Sequence, residues 1–73
     1  MYRAHDIEIN KEDRHAAYGI IAEHLRLGNI DDLRIYEDTV RGVKTLTFHI
    51  HPYVYEDFEK IRDEFINAGI RIM

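Results

Sequence analysis

His49 and His51 flank a single isoleucine. On a β-strand, side chains alternate between faces, so both imidazoles of such a pair stand on one side. Imidazole nitrogens and carboxylate oxygens are ordinary ligands of divalent ions such as Zn²⁺ and Mn²⁺. Asp6 and Glu8 alternate in the same way near the N-terminus. A metal site of His49, His51 and Asp6 or Glu8 is therefore one expectation. Other chemistry has few carriers. The chain has no serine and no cysteine, which removes the usual nucleophiles, disulfides and thiolate metal sites. Thr39, Thr45 and Thr47 have no activating base nearby except His49.

A second set of residues suits binding. Arg34 and Tyr36 share strand phase, and Tyr53 and Tyr55 cluster beside Pro52, the one proline. Tyrosine and arginine are enriched where proteins hold protein partners. The last third of the chain carries Glu56, Asp57, Glu59, Asp63 and Glu64 among Lys60 and Arg62. That row reads as a solvated helix face, or as an acidic surface that a basic site on a nucleic-acid enzyme would accept as a DNA mimic.

Positioning these residues requires elements, and the periodicities supply them. Tyr2 to Ile9 reads as a strand, with Ile7 and Ile9 on one face and Asp6 and Glu8 on the other. Asn10 is a good N-cap, with Asp13 three residues on. The helix it starts should run to Leu27, with Gly28 as its left-handed stop. Ala16, Ala17, Ile20, Ile21, Leu25 and Leu27 form its apolar arc. His24 falls within that arc, where a core histidine bonded to a backbone carbonyl is expected. His5 is in phase with Ile7 and Ile9, and His15 lies on the polar face.

After a loop over Asn29 to Asp32, Leu33 to Val40 and Val43 to Ile50 read as a hairpin about Arg41-Gly42. The two-residue turn sets the register: Val40 opposes Val43, Tyr36 opposes Thr47, Arg34 opposes His49, and Ile35 opposes Phe48. A one-residue slip would send the apolar residues to both faces. A second helix follows Pro52 to Asn67, with Val54, Phe58, Ile61, Phe65 and Ala68 as its stripe. Ile70 to Ile72 is a last short strand.

The order β-α-β-β-α-β predicts a ferredoxin-like α+β domain over residues 1–73, with a four-stranded antiparallel sheet ordered 4-1-3-2 and two helices on one face. The other face is left bare. It should present Arg34, Tyr36 and Asp38, then Thr45, Thr47, His49 and His51, then Asp6 and Glu8. A single aromatic among them is too few for an RNA-stacking sheet.

A His-hydrophobe-His on the third strand of this fold resembles the motif of the HUH endonucleases, on the residues His49, Ile50 and His51. The resemblance implies a divalent metal held by the two histidines and a further polar ligand. It also implies cleavage of single-stranded DNA by a tyrosine nucleophile, for which Tyr53 and Tyr55 are the candidates here.

Length and charge narrow the reading. Seventy-three residues bury a small core, so tight packing, a metal or self-association must support it. The formal charge of −4 argues against a nucleic-acid partner. Protonating the five histidines would reverse its sign. No apolar run reaches membrane-spanning length, and Met1 to Asp6 is not a signal sequence, so a soluble cytoplasmic protein is expected. These observations favour a small non-enzymatic module that binds a protein partner, or a second copy of itself, through the bare sheet face or the acidic helix face. Arg34, Tyr36, His49, His51, Tyr53 and Tyr55 are its expected contacts.

Overall fold

The computed structural model describes residues 3–73. Strand β1 (His5–Asn10) leads through a 3-10 turn at Lys11–Asp13 into helix α1 (Arg14–Leu27). Strands β2 (Ile30–Val40) and β3 (Val43–Pro52) form the hairpin, and helix α2 (Tyr55–Asn67) follows. The expected start of the first strand at Tyr2 lies outside the described residues.

Local chemistry explains each boundary. The Asn10 side chain accepts the Glu12 amide at 2.9 Å, which starts the turn into α1. Gly28 ends α1 at φ 77°, and its N–H donates to the carbonyls of His24 and Leu25. The hairpin register is the expected one throughout, from Val40–Val43 to Leu33–Ile50. Both turn residues have positive φ, 53° at Arg41 and 80° at Gly42, which is a type I′ turn. Arginine is poorly suited to that conformation, because its Cβ crowds the following carbonyl. Arg41→Asn is therefore expected to stabilise the domain by about 0.5–1 kcal/mol. The check is a higher urea midpoint at unchanged slope.

Among the described residues the sheet has three antiparallel strands in the order β1-β3-β2. This corrects the expected ferredoxin-like sheet of four strands ordered 4-1-3-2. The segment after α2 lies where a fourth strand would run, but makes only one isolated bridge, Ile72 to Ile9. The reason is competition for few residues. The Ile70 N–H donates to the Phe65 carbonyl at 3.0 Å to close the helix, and the Ile70 side chain is buried in the core. What remains beside β1 is Ile72 and the Met73 N–H, which donates to the Glu8 carbonyl at 2.8 Å.

The hairpin is longer at its base than expected. Ile30 pairs with Pro52 across a bulge next to Asp32, so Asn29–Asp32 is not wholly loop. Pro52 consequently ends β3, two residues short of α2, and its missing N–H costs little at a strand end. Val54 becomes the extended residue before α2, with φ −132° and ψ 154°, and is exposed instead of joining the core stripe.

Both helices cover the sheet face that carries Ile7, Ile9, Leu46, Phe48 and Ile50. Ala17 and Ile21 meet it from α1, and Phe58, Ile61 and Phe65 from α2. Phe48 is central, edge-on to Phe65 at 5.7 Å and to Tyr18 at 6.1 Å. Leu25 and Leu27 of the expected α1 arc are exposed. The outer part of β2 also escapes the helices, since Ile35 faces their side yet stays 42% exposed.

Candidate binding surface on the open sheet face

β3 is the middle strand, and its Leu46, Phe48 and Ile50 go to the core. Thr47, His49 and His51 alternate with these onto the opposite face and stay partly exposed, whereas Thr45, expected on the bare face, is buried. His49 sits opposite Asp6 of β1 and Arg34 of β2. Its Nδ1 lies 2.6 Å from Asp6 Oδ1. His51 sits opposite Asp32 of β2, with its Nδ1 3.9 Å from Asp32 Oδ2. That nitrogen is shielded from solvent and has no hydrogen-bond partner. The two imidazole rings meet edge to face at 5.2 Å, and the Tyr36 ring stands 6.3 Å from His49.

The structure thus brings four of the expected contacts together: Arg34, Tyr36, His49 and His51. It does not add the other two. Tyr55 packs against the rings of His5 and Phe58 at 5.0 and 5.9 Å. His5 is in phase with Ile7 and Ile9, so Tyr55 belongs to the helix side. Tyr53 is 55% exposed beyond the end of β3, and its N–H donates to the Asn29 carbonyl at 3.4 Å.

The carboxylates do not converge on the two histidines. Asp6 engages His49 from β1, while Asp32 approaches His51 from β2. Glu8 accepts the Thr45 hydroxyl at 3.1 Å, farther along the sheet. Among the described residues no three His, Asp or Glu side chains come together as a metal-binding group. The pattern is a pair of histidines packed edge to face, of which His49 is held by Asp6 and His51 lies near Asp32 without a hydrogen bond to it. Both imidazoles stay partly exposed.

Asp32 was not legible as a partner of His51, because the loop assigned to Asn29–Asp32 hid the strand that brings it there. His24 was also only half legible. It is buried, as its place in the α1 arc required, but its partners are side chains. Nε2 meets the Glu64 carboxylate of α2, and Nδ1 lies 3.0 Å from the Asn29 amide nitrogen.

Ion pairs at the surface complete the electrostatics. Lys11 Nζ lies 2.7 Å from Glu37 Oε1, and this hydrogen bond holds the Glu37 carboxyl below its usual range. A lowered carboxylate pKa adds stability above the ordinary carboxylate range and loses it as pH falls through the lowered value. With Glu37 largely in solvent, that contribution is small. On α1, a hydrogen bond from Arg26 lowers Glu23 in the same way and raises Arg26. The acids of α2 are partly engaged: Arg62 reaches Glu59 and Asp63, each at 3.8 Å.

Among the described residues no helix is long and apolar enough to cross a membrane. No family model, curated protein or solved structure matches the chain.

Proposed function

We propose that the chain is a non-enzymatic module that binds a protein partner through its open sheet face. The observation that supports this is the Tyr36–His49–His51 array, with Arg34 opposite His49 and the Asp6 carboxylate holding the His49 imidazole. These side chains take no part in the core. Their mutual contacts restrict their rotamers before a partner arrives, which lowers the entropy cost of ordering them at an interface. Tyrosine and arginine at the centre of such a patch are common anchors, because they offer large area and several donors. The module's effect would be to occlude or regulate its partner.

The test compares proteins captured from the source cell by wild type and by variants. Capture is expected to fall at least about tenfold with His49→Ala or Tyr36→Ala, and to be unchanged with His15→Ala on the far face of α1. All three variants should unfold near the wild-type midpoint. In the same samples, Zn²⁺, Mn²⁺ and EDTA should leave the midpoint unmoved. A metal-induced rise that vanishes in His49→Ala would replace this reading with a metal site.

A further inference from the structure

β2 is an edge strand eleven residues long, and it contains no proline or glycine. The opposite edge, on β1, is partly closed by Ile72 and Met73. Nothing among the described residues pairs with the outer edge of β2. Flanking a two-residue turn, Val40 and Val43 exchange their backbone bonds, and alternation then turns the N–H groups of Thr39, Glu37, Ile35 and Leu33 outward. Two contacts agree with that orientation. The Thr39 amide is taken by the Asp38 side chain at 2.7 Å, and the Leu33 amide by Asp32 at 2.9 Å. The amides of Ile35 and Glu37, at the centre of the edge, have no such side-chain cap among the described hydrogen bonds.

We infer that two copies of the chain pair antiparallel along β2, with Tyr36 on the two-fold axis. The register follows from charge. An antiparallel self-pairing centred on Tyr36 sets Arg34 of one copy opposite Asp38 of the other, twice, and faces Tyr36 with its own copy. It also joins the outward amides and carbonyls of Ile35 and Glu37. Centring on Ile35 would oppose Asp32 to Asp38, twice. Centring on Glu37 would oppose glutamate to glutamate. Like charges directly opposite each other destabilise a strand pair, and opposite charges and aromatic pairs stabilise it. Of these three registers, only the one centred on Tyr36 has the favourable set. In forming it, Asp38 exchanges the Thr39 amide for the guanidinium of the second copy. The product is a continuous sheet of twice three strands, with both open faces on the same side. Pairing through one strand buries little area, so the dimer is weak and concentration-dependent.

Arg34 and Tyr36 serve both this inference and the partner reading, but His49 on the middle strand serves only the partner reading, so His49→Ala should weaken capture and leave the dimer unchanged. Sedimentation equilibrium on the whole chain up to about 1 mM tests the dimer, together with charge variants. The wild type should dimerise. Arg34→Asp and Asp38→Arg alone should each weaken the dimer about tenfold or more, and the double exchange should restore it. The native chain has no cysteine, so Tyr36→Cys should cross-link to its own copy under mild oxidation, as the spacing of a non-hydrogen-bonded pair permits. Thr47→Cys, on the middle strand, should not. A monomer at every concentration, no rescue by the double exchange, or cross-linking through Thr47→Cys instead of Tyr36→Cys would each overturn the inference.

Discussion

Phe48→Ala is expected to abolish cooperative unfolding at 25 °C. Phe48 is completely buried, and its ring is wedged edge-on between Phe65 and Tyr18. Its cross-strand neighbour Ile7 is as deeply buried. Truncating such a phenylalanine costs about 3–5 kcal/mol, from lost transfer energy and the cavity left behind. A core in a chain of this size supplies about 3–5 kcal/mol of net stability, so the substitution consumes nearly all of it. Ile35→Ala is the control. Ile35 opposes Phe48 on the same face of the hairpin, yet lies beyond the cover of the helices. Its truncation should cost about 1 kcal/mol or less. Urea unfolding followed by far-UV circular dichroism measures both, and equal losses at the two positions would contradict this placement of the core.

The second large effect is expected at His24. This side chain joins three elements: α1, the Glu64 carboxylate of α2, and Asn29 ahead of β2. An amide nitrogen donates only, so Nδ1 accepts from Asn29 and Nε2 carries the proton given to Glu64. Both ring nitrogens thus have a partner in a buried site. His24→Ala removes both bonds, opens a cavity and strands the Asn29 amide, at a cost of about 2–4 kcal/mol. Glu64→Ala should cost less, about 1 kcal/mol, because that carboxylate is half in solvent and its loss admits water. A double-mutant cycle should show a coupling of at least about 0.5 kcal/mol between them. Strict additivity would mean that the contact holds nothing together.

The hairpin shows how far the chain's own pattern reaches. The two-residue turn and the alternation of Leu33, Ile35, Phe48 and Ile50 determine every pair from Val40–Val43 down to Leu33–Ile50. These are local constraints, and a slip of one residue would be penalised at many positions together. The same alternation puts Arg34, Tyr36, His49 and His51 on one face. The stop of α1 at Gly28 is equally local, since a positive φ suits a residue without a side chain. The α2 stripe of Phe58, Ile61 and Phe65 follows from helical spacing alone.

Periodicity says which side a residue faces and nothing about how far the covering layer extends. Phe48 and Ile35 are equivalent in pattern, but only the position of α1 and α2 over β1 and β3 buries one and exposes the other. Leu25, Leu27 and Val54 are exposed for the same reason: an apolar arc is buried only as far as a neighbour covers it. The partners of His24 come from α2 and from the start of β2, at sequence separations that no local rule connects. The last strand was decided by competition, because Ile70 contributes more by closing α2 and filling the core than by lengthening a sheet edge. The division of Asp6 and Asp32 between the two histidines was decided by strand order. By itself the sequence determined the hairpin register, the helix stops and the residues of the open face, since each depends on neighbours along the chain or across a tight turn. Tertiary structure alone decided what is covered, what remains an open edge and which carboxylate meets which imidazole, because those depend on where separate elements come to rest against one another.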